Sequence, residues 1–301
     1  MERNKVKLNL SYYKGIDYYS DGEVEDELLE IVRNYNSYDK ILHNNERWPI
    51  LYHLSPIRWN LLEWYPFDKE ASLLEIGAGC GALTGLFCKQ VNQVTAVELS
   101  RKRAEIISER CKDHDNLEIL VGNMEDIRFE KKFDFITLIG VLEYAGKYIS
   151  GPQPHKKFIE LVRSFLKPNG TLIIAIENKF GLKYWAGARE DHSGKLFESI
   201  EGYLDNDGVE TFSRMELEEL LIASGMTNNQ FYYPLPDYKL PNQIYSDHYL
   251  PKPGAARITP NYDRNRYLMF NEQSTFNQIV ENNQFPFFAN SFLTFSRQGD
   301  E

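Results

Sequence analysis

Short apolar runs alternate with amphipathic segments through the middle third of the chain. Ser72–Ile76 is an apolar run that ends at glycines, and residues 171–176 are apolar throughout, which is typical of strands buried on both faces. Residues 154–166 carry apolar side chains at the spacing of one helix face and stop at a Lys-Pro-Asn-Gly turn. The whole pattern predicts seven strands, at residues 72–76, 93–98, 117–121, 133–139, 171–176, 231–235 and 287–296.

Strands that alternate with helices predict right-handed βαβ units. We therefore expect a doubly wound α/β fold with a mostly parallel, seven-stranded sheet. Residues 1–70 are predicted to form a helical N-terminal extension or lid, and residues 71–301 the main domain. Two stretches without a clear hydrophobic period, at about 179–210 and 237–286, are interpreted as insertions. Ser100 and Ser213 are predicted helix N-caps.

Composition and charge narrow the class of protein. The chain has 301 residues, 42% hydrophobic and 26% charged, which is the balance of a folded protein. Its net charge of −10, with bases and acids interspersed, argues against a nucleic-acid partner. No stretch is long and apolar enough for membrane insertion, and the N-terminus has no apolar signal region. We expect a cytoplasmic protein.

The three cysteines have no metal-ligand spacing, and an odd number suits a reducing compartment. They are interpreted as small buried hydrophobic residues. The sequence predicts no metal site.

A glycine-rich turn follows the first predicted main-domain strand. Gly77, Gly79 and Gly81 allow a sharp bend and a close approach of a ligand to the backbone. The next helix directs its amide-rich end to the same place. Glu98, at the end of the second strand, can accept hydrogen bonds from a ribose diol.

The turn suits more than one cofactor. Residues 77–82 match the G-x-G-x-x-A fingerprint of dinucleotide-binding proteins, so a nicotinamide-dependent oxidoreductase is one alternative. Two features argue against a dinucleotide. Glu75 lies two positions before the first glycine, and the third glycine, Gly81, comes earlier than the fingerprint requires. A carboxylate here would repel a pyrophosphate but suits a ligand with ammonium and sulfonium groups.

Four segments stand in the order and spacing of a known family: LLEIGAGCGALT, AVELS, FDFITLIGVLEYA and LKPNGTLIIAIEN. On these segments the chain resembles the class I S-adenosylmethionine-dependent methyltransferases. The resemblance implies a Rossmann-like methyltransferase fold, S-adenosyl-L-methionine as cofactor and S-adenosyl-L-homocysteine as product. It implies these donor-site residues: Glu75, Gly77, Gly79 and Gly81 around the methionine part, Glu98 at the ribose, Leu99, Asn123, Met124 and Glu125 at the adenine, and Gly140 and Glu143 at the pocket floor near the methyl group.

The chain departs from the family pattern at two positions. Asn123 stands where an aspartate is common, and its amide can still hydrogen-bond to adenine. Tyr144 stands where some relatives have a histidine, so a catalytic role of that histidine does not transfer. The Asn-Pro-Pro-Tyr motif of methyltransferases that modify nucleic-acid bases does not follow the fourth strand.

The acceptor is expected to contact residues 177–192, which are rich in charged and aromatic side chains. His192 is the nominated general base, with Asp191 or Glu143 as its competitor or orienting partner; a plain surface-loop histidine is the alternative. The segment IENKFGLKYWAGAREDH is similar to bacterial methyltransferases associated with cell-surface polysaccharide assembly. The hypothesis is O- or N-methylation of a polar small molecule or saccharide. A non-catalytic donor-binding module of a glycan-assembly complex stays an alternative, and the oligomeric state stays open.

Overall fold

The computed structural model describes residues 5–17, 19–204, 208–258 and 266–299. The chain forms two compact units. One comprises residues 1–138 with 165–170, and the other residues 139–164 with 171–301.

Five parallel strands form the sheet of the first unit, in the order β1-β4-β3-β2-β5. Leu74 of the central strand β2 lies opposite Thr95 of β3 and Ile136 of β5. The side chains of this central region are buried, which explains why the strands are continuous apolar runs. The strands are β1 (Lys7–Asn9), β2 (Ser72–Ile76), β3 (Gln93–Glu98), β4 (Leu117–Val121) and β5 (Phe133–Ile139), whose last residue belongs to the second unit.

The helices before β2 form an apolar core with the helix that follows β3. Leu28, Ile50 and Leu54 pack with Ile106 and with Cys80 of the glycine turn. The N-terminal segment therefore supports the turn from within the same unit. The helices of this unit are α1 (Val24–Asn34), α2 (Asp39–Asn44), α3 (Trp48–Leu54), a 3-10 helix (Pro56–Leu61), α4 (Thr84–Gln90) and α5 (Arg101–Arg110).

The second unit contains four antiparallel strands in the order β6-β9-β7-β8. They are β6 (Leu166–Glu177, which begins in the first unit), β7 (Asn228–Leu235), β8 (Gln243–Ser246) and β9 (Ser291–Arg297). The helices are a 3-10 helix (Leu142–Tyr144), α6 (Ala145–Tyr148), α7 (Pro154–Ser164), α8 (Leu182–Trp185), α9 (Arg214–Ala223), α10 (Glu272–Glu281) and α11 (Phe285–Phe288).

The α/β class and the parallel core are confirmed, but the number of strands is wrong. The described residues form nine strands of mixed direction rather than a mostly parallel seven. The two additional strands, β1 and β8, have three and four residues, too short for a periodic pattern. The last strand begins at Ser291 because Phe285–Phe288 forms a helical turn first.

Two predicted helix caps are confirmed. The Ser100 hydroxyl accepts a hydrogen bond from the Arg103 N–H, and Ser213 forms a reciprocal capping box with Glu216. The three cysteines are free and buried, as predicted. None of the helices in the described part of the chain has the length and apolar content to cross a bilayer. The division into a 1–70 extension and a 71–301 domain stays a prediction.

Candidate functional site

The glycine turn between β2 and α4 has the backbone conformation that its sequence indicates. Gly77, Gly79 and Gly81 have φ values of 71°, 58° and 74°, which L side chains rarely adopt. At Gly79, none of the described atoms beyond its chain neighbours lies within 4 Å of where a Cβ would stand. Open space therefore adjoins the backbone at the middle of the turn, whereas a Cβ at Gly81 would meet Ile107 at 3.3 Å.

Glu98 is held against this turn by backbone donors. The Gly79 N–H donates to Oε2 at 2.7 Å, and the Ser100 N–H donates to Oε1 at 2.9 Å. Burial raises the pKa of Glu98, while Arg103 and these backbone donors oppose the increase. Each carboxylate oxygen accepts more than one hydrogen bond, so Glu98 retains capacity for a diol.

Glu75 lies buried at the end of β2 with the Thr84 hydroxyl donating to its Oε2 at 2.6 Å. Burial raises the pKa of Glu75 to about 8, and the nearby charge of Glu98 adds to the effect. The carboxyl group is thus easily protonated unless a cation binds beside it.

The N-terminal segment contacts the backbone of the same turn. The Trp59 indole N–H donates to the Ala82 carbonyl at 2.9 Å. Arg110 donates to the carbonyls of His53 and Cys80 at 2.7 and 3.2 Å. These bonds restrain the turn from its outer side.

The residues assigned to adenine follow β3 and β4. Leu99, Asn123 and Glu125 are half-buried, and Met124 is buried. The Asn123 amide oxygen accepts from the Glu125 N–H at 3.1 Å, which makes a local turn. Their roles at the adenine stay predictions.

In the second unit, Gly140 leads from β5 toward Glu143 with a φ of 68°. A Cβ at this position would lie 2.7 Å from the Tyr238 hydroxyl and 3.6 Å from Oε1 of Glu143. A larger residue would therefore displace the groups around Glu143.

His192 lies between two glutamates. Its Nδ1 is 2.9 Å from Oε1 of Glu190, and its Nε2 is 3.5 Å from Oε1 of Glu143. Burial alone would lower the pKa of His192, but Glu143 and Glu190 raise it well above the usual value. The ring is thus cationic near neutral pH. The plain surface-loop interpretation is not supported, because the side chain is only 10% exposed.

Glu143 and Asp191 have opposite electrostatic environments. Burial raises the pKa of Glu143, with the charge of Glu177 adding to it. Burial also disfavours ionised Asp191, but Lys183 and Lys239 hold its pKa well below the usual value. Glu143 is therefore the stronger proton acceptor of the two carboxylates.

Four further residues belong to this second-unit cluster, and three of them, Glu177, Lys183 and Glu190, lie within the segment 177–192 that was expected to contact the acceptor, although none had an individual predicted role. Glu177, the last residue of β6, is fully buried and binds Lys239. Lys183 pairs with Asp191 at 2.7 Å, and Glu190 orients His192. Glu190 lies only two residues before His192, and this spacing could have indicated that Glu190 orients the histidine. No sequence pattern indicated the role of Lys239, because 62 residues separate it from Glu177.

Two asparagines hold the start of the segment that carries His192. The Asn178 amide donates to the carbonyls of Phe287 and Ala289, both at 2.7 Å. The Asn290 amide donates to the Pro236 carbonyl, and its oxygen accepts the Lys183 N–H. These bonds connect α8, which carries Lys183, with the loop that carries Lys239.

Comparison with known proteins identifies the domain. Residues 74–174 match the family model of a methyltransferase domain. A malonyl-[acyl-carrier protein] O-methyltransferase of Halalkalibacterium halodurans is 32% identical over 114 residues, covering 36% of this chain and 40% of that protein. A ribosomal RNA small subunit methyltransferase A of Syntrophus aciditrophicus is 29% identical over 80 residues, covering 27% of this chain and 26% of that protein.

A solved structure shares the fold. It is phosphoethanolamine N-methyltransferase 1 of Haemonchus contortus in complex with phosphoethanolamine and S-adenosylhomocysteine. The TM-score is 0.50 at 14% identity, over 92% of this chain and 50% of that one.

Residues 74–174 therefore match a methyltransferase domain, which supports S-adenosylmethionine as the cofactor, and the solved structure shows that the fold is Rossmann-like. This finding favours methyl transfer over the nicotinamide-dependent alternative. The chain spans only about two fifths of the first curated relatives, 38% and 40% of their lengths. The acceptors named for the relatives differ, so the acceptor has to be argued from the residues.

Proposed function

We propose that this protein transfers the methyl group of S-adenosylmethionine to a hydroxyl or amine of a polar small molecule or saccharide. The observation that carries the proposal is the open turn at Gly79, whose backbone N–H is bonded to Glu98. A backbone bend with free space and an adjoining carboxylate suits a nucleoside that carries an amino-acid chain.

The donor side uses residues of the first unit. Glu75 faces the cationic methionine part, because a sulfonium and an ammonium favour the ionised carboxylate. Glu98 accepts the ribose hydroxyls. Leu99, Asn123, Met124 and Glu125 surround the adenine, with the Asn123 amide as its polar partner.

The acceptor is proposed to bind at the cluster around Glu143 and His192. A lone pair of the acceptor oxygen or nitrogen forms the new bond to the methyl carbon while the carbon–sulfur bond breaks. The bonding electrons stay on sulfur and yield S-adenosylhomocysteine. The acceptor proton passes to Glu143, whose raised pKa makes it basic, and cationic His192 holds that carboxylate in position.

Asp191 and the lysines serve recognition rather than proton transfer. Lys183 and Lys239 neutralise Asp191, and the Tyr184 hydroxyl donates to it. Because Asp191 and the two lysines neutralise one another, they can form hydrogen bonds to the hydroxyls of an acceptor without a change in their own protonation. The resemblance to polysaccharide-associated methyltransferases makes a glycan hydroxyl the first acceptor to test.

The test is incubation with S-adenosylmethionine and a panel of saccharides, glycan-linked amines and small polar amines, read by mass spectrometry. We expect methylated product together with S-adenosylhomocysteine. Glu143→Gln should lower kcat by about 100-fold or more, as loss of a general base does. Its donor affinity should fall much less than its kcat, and the exposed His248→Gln should match the wild type.

Two outcomes would contradict the proposal. Stabilisation against heat by NADH and not by S-adenosylhomocysteine would favour the oxidoreductase. Tight donor binding without product from any acceptor would favour the non-catalytic binding module.

A further inference from the structure

Three side chains of the second unit converge from separate parts of the chain. Glu143 follows β5, Glu177 ends β6, and His192 lies in the loop after α8. One ligand atom from each residue lies within 4.8 Å of the other two. Two carboxylates and an imidazole form a mixed oxygen and nitrogen donor set.

The two glutamates present unused oxygens. Oε2 of Glu143 and Oε2 of Glu177 are buried and have no hydrogen-bond partner among the described residues. Both residues are at most 1% exposed. An unpaired buried carboxylate oxygen is unfavourable unless a cation or a hydrogen-bond donor reaches it.

The charges around these oxygens do not balance. Five carboxyl groups meet three bases, but the His192 ring has to lose its proton to bind a metal ion, so two lysines face five acids and leave an excess of three negative charges when the acids are ionised. A divalent cation would neutralise two of the three. The lysines are already engaged, Lys239 by Asp191 and Oε1 of Glu177. The acids are Glu143, Glu177, Glu190, Asp191 and Asp237, and the bases are Lys183, Lys239 and His192.

The histidine is oriented as a metal ligand usually is. Glu190 accepts at Nδ1 of His192, which directs Nε2 toward Glu143. Glu190 is itself fixed by the N–H groups of His192 and Ser193, at 2.8 and 2.6 Å. A carboxylate on the far nitrogen of a ligating histidine is the common second layer of a metal site.

We propose that Glu143, Glu177 and His192 bind one divalent metal ion, of the kind that accepts carboxylate and imidazole ligands together, such as Mn²⁺ or Zn²⁺. The remaining coordination positions take water or the hydroxyls of the acceptor. This inference concerns metal binding alone and holds whether or not methyl transfer occurs.

The test is a titration of chelator-treated protein with Mn²⁺, without donor or acceptor, followed by the electron paramagnetic resonance signal of free Mn²⁺. We expect one Mn²⁺ bound per chain. Glu143→Gln and Glu177→Gln should each weaken binding by about tenfold or more, and Glu190→Gln by about tenfold. Glu198→Gln, a buried carboxylate paired with Lys195, should bind like the wild type.

The fold of each variant is checked by its melting temperature without metal, compared with that of the wild type. Wild-type protein that binds neither Mn²⁺ nor Zn²⁺ at about millimolar concentration would overturn the proposal. Binding that persists unchanged in both glutamate variants would also overturn it, as would stabilisation by organic amines with no response to metal.

Discussion

The backbone N–H of Gly79 donates to the carboxylate of Glu98 at 2.7 Å. Nineteen positions separate the two residues, and the bond joins the turn after β2 to the end of β3. Because β2 and β3 pair in parallel, both strands bring their carboxyl ends to one edge of the sheet. The bend and the carboxylate are thus positioned together before a donor arrives, which lowers the ordering cost of binding.

Gly79→Arg should abolish donor binding, because its side chain enters the open space beside the turn and its backbone has a positive φ. We expect the dissociation constant for S-adenosylhomocysteine to rise by at least about 100-fold in calorimetric titration. Gly254→Arg is the matched control, since Gly254 has a φ of +80° and equally open surroundings. Near-normal affinity of the Gly79 variant would refute the location of the donor site.

Donor affinity should rise with pH through the titration of Glu75. Its pKa in the folded protein is about 8, raised by burial. A cationic donor binds the carboxylate form better, so binding releases a proton and affinity increases up to about pH 8, then levels off. The measurement is S-adenosylmethionine affinity from about pH 6 to 9 for wild type and Glu75→Gln. The ratio of the wild-type affinity to the Glu75→Gln affinity at each pH cancels the titration of the donor itself. Identical pH profiles for the two proteins would show that Glu75 does not cause the pH dependence of donor binding.

Arg103→Met should destabilise the protein by about 3 kcal/mol, because it leaves the buried Glu25 without its counter-charge. Arg103 donates to Glu25 at 2.7 Å and to Asp21 at 2.6 Å. Urea denaturation measures the loss. The exposed pair of Arg101 with Glu105 supplies the control, and Arg101→Met should change stability by less than about 1 kcal/mol. Adding Glu25→Gln to Arg103→Met should recover part of the stability; no recovery would argue against charge as the cause.

Ser213→Ala should remove the capping box of α9. The Ser213 N–H donates to Glu216 at 2.8 Å, and the Ser213 hydroxyl accepts from the Glu216 N–H at 3.3 Å. We expect a loss of about 1 kcal/mol, seen as a lower melting temperature. Ser213→Thr keeps the hydroxyl and should retain most of the stability. Equal losses in the two variants would show that packing, rather than capping, matters at this position.

Local features of the chain were readable from the sequence. The alternation of apolar runs and amphipathic helices predicted β2 to β7 and the last strand, because burial on both faces demands continuous apolar residues. Ser100 and Ser213 were predicted as caps because a short polar side chain satisfies free backbone N–H groups. The sharp turn was predicted from its glycines, because glycine adopts positive φ values more readily than other residues.

The pairing of segments that are distant along the chain could not be predicted from the pattern of apolar residues. The short strands β1 and β8 depend on the partner strands β4 and β7 rather than on their own composition. The same holds for the group of buried charges in the second unit. His192, Asp191 and Glu143 were nominated as site residues from the sequence. The pairing of Glu177 with Lys239 was not predicted, because 62 positions separate the two residues.

The sequence by itself determined the α/β class, the glycine turn and the carboxylate at the end of β3, because backbone conformation and apolar periodicity are local properties. Only the tertiary structure decided which carboxylates are paired and which keep a free oxygen. A side chain's charge state depends on burial and on partners brought from distant segments, as at Glu143 and Asp191.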